Sequence, residues 1–153
     1  MQTVTADTNI LVSGLHFGGK PRQFLNLARA GRFRLAISPD IQGELRRVLR
    51  DKLGWEQARL DEMDARLADF TIKVNPTQRL QVVRDDPDDD QVIECAVASG
   101  SSVIISGDRH LLNLGQYQDI PIMRVADFLR RMQEAEQVGD DGGSGGEAQE
   151  GAG

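Results

Sequence analysis

The stretch from residue 88 to 108 decides the fold: Asp88-Asp89-Asp90-Gln91-Val92-Ile93-Glu94-Cys95-Ala96-Val97-Ala98-Ser99-Gly100-Ser101-Ser102-Val103-Ile104-Ile105-Ser106-Gly107-Asp108. Asp88 to Ser99 reads as a helix. Its first turn is acidic, which suits the helix dipole, and Val92, Ile93, Ala96 and Val97 share one face. Val103-Ile104-Ile105 has no polar face at all, so it reads as a strand buried on both sides. Such a strand belongs in the middle of a sheet covered by helices above and below.

Working outward, the same alternation of periods fills the chain. Thr3 to Ala6 reads as a short strand ending at Asp7. Pro21 to Ala30 has Phe24, Leu27 and Ala28 on one helical face, with Gly31 as its stop. Phe33, Leu35 and Ile37 alternate as a strand. Ser38-Pro39 opens the next helix, Ser38 as cap and Pro39 at the first position; Ile41, Leu45, Val48 and Leu49 are its apolar face. Leu60, Met63, Leu67 and Phe70 mark another helix, and residues 71–74 another strand. Ile120 to Val125 is predicted as the last strand and Asp127 to Glu136 as the last helix. The pattern predicts an α/β domain over residues 1–137 with a largely parallel sheet and right-handed crossovers. Gly14, Gly18 and Gly19 predict a mobile stretch from Gly14 to Pro21, in which His16 and Lys20 are weak candidates for touching substrate.

Composition bounds the function. The chain has 153 residues, 39% hydrophobic and 27% charged, enough for one proper core and too little for two. No apolar run approaches a membrane span, and the first residues predict no signal peptide. Cys95 is the sole cysteine. It permits no internal disulfide and is read as a small buried apolar residue; a cytoplasmic setting is expected. Residues 138–153 are predicted as a disordered glycine- and acid-rich tail. They carry Asp140, Asp141, Glu147 and Glu150 without a lysine or arginine, so the overall charge of −6 becomes −2 over residues 1–137. A pI near 4.9 argues against gripping nucleic acid by bulk charge. It leaves room for a local basic patch and for an acidic site neutralised by metal.

In parallel sheets, sites form at the carboxyl ends of the strands. Asp7 follows the first strand, and Asp108 follows Val103–Ile105. The helix that opens near Asp88 brings a run of aspartates to the same edge, and the helix after Pro39 brings Glu44. Singly, each acid reads as a turn former, a cap or a solvated helix residue. Together they aim carboxylates from four segments at one region, where they repel unless a cation intervenes. All-oxygen ligands suit Mg²⁺ or Mn²⁺ rather than zinc, and such a site serves phosphodiester hydrolysis. Arg46, Arg47 and Arg50, with Arg29, Arg32 and Arg34, read either as a phosphate-contacting rim or as a solvated face. His110 reads as structural or exposed. Trp55 either packs a helix pair or meets a partner.

These residues resemble a known family. Asp7-Thr8-Asn9 with Ile10-Leu11-Val12-Ser13, Ser38-Pro39-Asp40-Ile41 with Glu44-Leu45, Asp86-Pro87-Asp88-Asp89-Asp90 with Val92-Ile93-Glu94-Cys95-Ala96, and Ile104-Ile105-Ser106-Gly107-Asp108 match, in order, the PIN-domain ribonucleases. The likeness is to the bacterial branch of toxin–antitoxin toxins and spans residues 3 to about 129. The resemblance implies a three-layer α/β/α PIN-like fold with a mostly parallel central sheet, and a metal-dependent endoribonuclease. Its catalytic acids would be Asp7, Glu44, Asp89 and Asp108. Metal would be held by Asp7, Asp108 and either Asp89 or Asp90, counting back from Ala96 and Gly100 favouring Asp89. Asn9 and Ser106 match polar residues beside the acids, Ser106 in the role of positioning one of them. Arg46 and Arg47 are the candidate RNA contacts. The family further implies Mg²⁺ or Mn²⁺, an RNA substrate, a cognate antitoxin and a homodimer.

Three other readings compete. A haloacid-dehalogenase-type phosphatase needs a second Asp where Asn9 stands. A receiver domain needs an acceptor Asp on a middle strand, which here ends at Ser38-Pro39, and a late lysine. The third is a catalytically quiet PIN-like scaffold that binds RNA or a partner.

Overall fold

A computed structural model describes residues 1–83 and 86–142. Six strands form one sheet: β1 (Thr3–Ala6), β2 (Arg34–Ile37), β3 (Thr71–Lys73), β4 (Val103–Ile105), β5 (Gln116–Tyr117) and β6 (Ile120–Met123), in the order β3-β2-β1-β4-β6-β5. All pairs are parallel except the edge hairpin β5–β6. Among the described residues, seven α-helices flank the sheet: α1 (Thr8–Val12), α2 (Gly19–Arg29), α3 (Pro39–Asp51), α4 (Gln57–Phe70), α5 (Pro87–Ser99), α6 (Arg109–Leu114) and α7 (Val125–Gly142). This is a three-layer α/β/α fold with a mostly parallel sheet. No described helix is long and apolar enough to cross a membrane.

Strand order places the site. From β1 the chain moves to β2 and β3 on one side, then returns to lay β4 on the other side of β1. The carboxyl ends of β1 and β4 therefore flank the point where the order reverses, the usual position of a cleft in such sheets. Ala6 is paired with Ile105, and the Asp7 N–H donates to the Ile105 carbonyl at 2.9 Å. The loops after β1 and β4 thus leave the sheet side by side.

The core explains why these strands hold. Val4, Ile104 and Ile105 are fully buried, as expected of central strands covered on both faces. The threonines of β1 are buried too, and Thr5 is accommodated because its hydroxyl shares a 2.8 Å hydrogen bond with Ser101. Phe24, Phe33 and Phe128 meet with ring centroids 5.1 to 5.6 Å apart and join α2 and α7. Such aromatic pairs add about 0.5–1.5 kcal/mol each beyond the area they bury. Ser38 caps α3 as expected, its Oγ accepting from the Ile41 N–H at 3.2 Å.

Five elements depart from the sequence reading. The stretch read as mobile, Gly14 to Pro21, is ordered: Ser13–Phe17 forms a π-helical turn that continues α1, and α2 begins at Gly19. Gly14 is there because a Cβ would stand 2.6 Å from Leu25 Cδ1 and 2.9 Å from the Pro21 carbonyl. The glycine serves close approach, not motion. The helix α1 and the two-residue strand β5 are too short to leave a periodic signal. β6 ends at Met123, two residues before the predicted end. Helix α7 starts at Val125 and continues to Gly142, into the segment read as tail; residues 143–153 lie outside the described residues.

Candidate metal centre

Each aspartate of the cleft is set by the start of a helix. Asp7 leaves β1 in an extended conformation and caps α1, its Oδ1 accepting from the Ile10 N–H at 2.9 Å. Asp108 does the same after β4, its Oδ1 accepting from the N–H groups of His110 at 2.8 Å and Leu111 at 3.3 Å. Asp86 caps α5 and accepts from the Asp88 N–H. Asp89 stands in the first turn of α5. Glu44 comes from α3, where the Thr8 hydroxyl donates to its Oε1 at 2.7 Å. Asp7, Thr8, Asn9, Glu44, Asp86, Asp88, Asp89 and Asp108 line one small cleft of about 60 Å³.

Ser106 ties two of these acids together. Its buried hydroxyl donates to Asp7 Oδ2 and accepts from the Asp108 N–H at 2.9 Å. One side chain thereby fixes the carboxylate after β1 relative to the backbone after β4. Asn9 is exposed at the rim of the cleft.

The electrostatics are those of crowded carboxylates. Burial raises the Asp7 carboxyl above its ordinary value, and the charge of Asp108 adds to this; hydrogen bonds from Ser106, Ile10 and Gly107 pull the other way without cancelling it. Burial, then Asp108, with Asp86 and Asp7 beyond, pushes Asp89 up to about 8. Burial and the neighbouring Asp88 raise Glu44 against the opposing bond from Thr8. Asp108 goes the other way. Burial raises it, but the hydrogen bonds from Asp89, Leu111 and His110 outweigh that and hold it low. The two carboxyls are thus shifted in opposite directions by their mutual contact.

A divalent cation fits this arrangement. One ligand oxygen each from Asp86, Asp89 and Asp108 lies within 4.8 Å of the others. Asp89 Oδ2 is buried without a hydrogen-bond partner among the described residues. An orphaned buried carboxylate oxygen is costly unless something positive meets it, and an all-carboxylate donor set suits a hard cation.

The sequence-predicted residues separate here. Asp7, Glu44, Asp89 and Asp108 converge on the cleft. Asp90 does not: its Oδ1 accepts from the N–H groups of Val82 and Val83 at 2.9 and 2.8 Å, so its carboxylate anchors the preceding loop. Asp90 is withdrawn as a ligand; one step along a helix turns a side chain about 100° away. The Arg46 guanidinium is engaged by Asp64 and lies 3.5 Å from Asp61, joining α3 to α4. Arg47, on the same helix as Glu44, is exposed, and its charge acts on Glu44. Arg32 pairs with Glu136 and Arg50 with Asp51, away from any rim role. Sequence reasoning missed Asp86 and Thr8 as members of the site. Asp86 was hidden by its good fit as a helix cap before Pro87, and Thr8 by sitting in a helix too short to be seen.

Comparison with known proteins agrees with this geometry. Residues 3–110 match the PIN domain, and the chain belongs to that family. In fold it is similar to the crystal structure of VapBC2 from Rickettsia felis bound to a DNA fragment from their promoter, with a TM-score of 0.57 and 14% sequence identity. That match covers 78% of this chain and 96% of the other. No curated protein sequence matches the chain.

Proposed function

We propose that this PIN-domain protein is a metal-dependent endoribonuclease that hydrolyses RNA phosphodiester bonds, and the toxin of a type II toxin–antitoxin pair. The observation that carries the reading is the Asp86–Asp89–Asp108 cluster with its orphaned Asp89 oxygen, next to Asp7 and Glu44. Asp86, Asp89 and Asp108 would hold Mg²⁺ or Mn²⁺, with Asp7 adjoining. When bound, the cation supplies charge to the scissile phosphate and acidity to a water.

The chain's own groups do the rest. Thr8 occupies Oε1 of Glu44, so Oε2 is the atom that takes a proton from the attacking water. Its raised affinity for protons suits a general base. Asp7, held by Ser106 and the Ile10 N–H, keeps the water and the phosphate in register. Asn9 at the rim offers the substrate an uncharged donor and acceptor, and Arg47 a positive charge beside an otherwise negative cleft.

The toxin part of the reading is supported by the resemblance of the motifs and by the likeness to an assembly, VapBC2, named with its promoter DNA. A cognate antitoxin, a homodimer and a cytoplasmic location go with it. The test is cleavage of a mixed RNA pool with Mg²⁺ or Mn²⁺, with EDTA, and with Asp7→Asn. Cutting that requires both metal and Asp7 is expected. A folded protein that cuts nothing under either metal would move the reading to the non-catalytic binding module.

A further inference from the structure

An acidic protein that acts on RNA must find positive charge somewhere, and the cleft itself supplies little. A groove of about 440 Å³ runs between α2 and α4, beside the π-helical turn, lined by Arg22, Arg29, Arg59 and Arg66 over a floor that includes Leu25 and Met63. Glu62 is its one acidic wall residue and pairs with Arg66 at 3.4 Å. Among the described residues, Arg22, Arg29 and Arg59 have no carboxylate partner. Other arginines of the chain, such as Arg32, Arg46 and Arg79, are each held by acids. The groove is therefore locally positive on a chain of net charge −6.

Its guanidiniums are also braced. Arg59 lies 3.7 Å over the Trp55 ring and Arg29 5.4 Å over Phe70. Arg22 donates to the carbonyls of Gly14 and Leu15. Trp55 is locked in turn by its Nε1–H, which donates to His16 Nδ1 at 3.0 Å. At the mouth stands Phe17, a large apolar side chain left 69% exposed. Its ring meets His16 edge to face at 4.6 Å. A Cβ on the adjacent Gly18 would lie 3.7 Å from Arg22 Cζ, so the backbone that carries Phe17 borders this guanidinium. An exposed aromatic face beside ordered guanidiniums is the pairing that holds single strands: the ring stacks a base and the cations follow the phosphates. An acidic peptide would use the arginines and leave Phe17 idle.

We infer that the α2–α4 groove with Phe17 at its mouth is a second contact site for single-stranded RNA, holding the strand away from the scissile bond. Thr8 to Phe17 is one continuous helical run from the cleft to this mouth, roughly 15 Å at the usual rise per residue. A strand bound at both ends spans several nucleotides. For RNA as the ligand this rests on the proposed nuclease function, but binding and cutting are tested apart.

The binding probe is a labelled oligouridylate, titrated into Asp7→Asn protein in EDTA and read by fluorescence anisotropy, so that loss of cleavage does not enter. Salt-sensitive binding is expected, weakened roughly tenfold by Phe17→Ala and again by Arg59→Gln. Both side chains are exposed, and circular dichroism melts verify that the variants fold. In the otherwise native protein with metal, the same two changes should raise KM for long RNA and leave kcat, and the cleavage of very short oligonucleotides, unchanged. Binding indifferent to both substitutions, or absent, overturns the inference. Competition by polyglutamate as effective as that of RNA of equal charge also overturns it and assigns the groove to an acidic protein segment.

Discussion

The hydroxyl of Ser106 donates to Oδ2 of Asp7 across the gap between two parallel strands, from a position with no solvent exposure. The same oxygen accepts from the Asp108 N–H. The acid after β1 and the backbone that carries the acid after β4 are thus set by one atom. Ser106→Ala should cost about 1–3 kcal/mol in urea unfolding, since it strips a partner from a buried carboxylate. It should also raise the Asp7 pKa further, moving the acid limb of the pH–activity profile upward. Ser106→Thr, which keeps the hydroxyl, should restore the profile.

The metal-free protein should lose stability as pH rises. Asp89 is pushed up to about 8 in the folded chain, against an ordinary value of 3.8. Between those values the folded state binds the proton that the unfolded chain has released. Stability therefore falls with rising pH from about 4 and levels off above about 8. Asp89→Asn removes the ionisation and should raise the midpoint of thermal unfolding in EDTA at pH 8 by a few degrees while abolishing cleavage. An unchanged melting profile between pH 5 and 8 in the native protein would contradict the crowded-carboxylate account.

Adding Mn²⁺ should reverse that loss. Binding to the folded chain alone stabilises it by about 2.7 kcal/mol when the metal stands at a hundred times its Kd. The Asp89 proton is released on binding, so affinity measured by calorimetry should strengthen from pH 6 to pH 8. Asp86→Asn should weaken the metal-induced rise in melting temperature, an outcome that only a direct role in the cluster predicts.

Asp90 should behave as a structural residue. Asp90→Ala leaves the Val82 and Val83 N–H groups without their acceptor, at about 1–3 kcal/mol for each one that water does not reach. Its effect should appear in unfolding and in proteolysis near residues 80–83. Metal affinity should change far less than in Asp89→Ala.

Gly14→Ala should destabilise the protein by about 1–3 kcal/mol, because the added methyl overlaps Leu25 and the Pro21 carbonyl. Gly43→Ala, at a helical position with open space around it, should be neutral or slightly stabilising. The difference between the two, measured by denaturant midpoint, separates close approach from backbone freedom.

The central strands and long helices were legible because each has an unbroken period: Val103-Ile104-Ile105 admits no polar face, and Leu60, Met63 and Leu67 recur at helical spacing. Ser38-Pro39 announced α3 through cap chemistry that acts within four residues. Elements too short to repeat their period left no such trace, as with Thr8–Val12 and the edge pair Gln116–Tyr117. Asp7, Asp89 and Asp108 were legible from their places after strands and at a helix start, and Glu44 from its place in the helix that follows a strand. Asp90 faces the preceding loop and Arg46 faces Asp64 because the direction of a side chain on a helix depends on its phase and on distant partners that no local pattern displays. Gly14 misled for a related reason: a glycine needed for contact and one needed for freedom look the same in one dimension.

The pairing of β1 with β4 also sets when the protein becomes competent. Asp7 and Ser106 are 99 residues apart, and the carboxylates of α5 and α6 lie late in the chain. During translation the N-terminal strand emerges long before its neighbour exists, so a nascent or prematurely terminated chain lacking residue 108 carries Asp7 and Glu44 with nothing to complete them. The cleft is complete only once the chain that carries Asp108 has been made and has paired with β1.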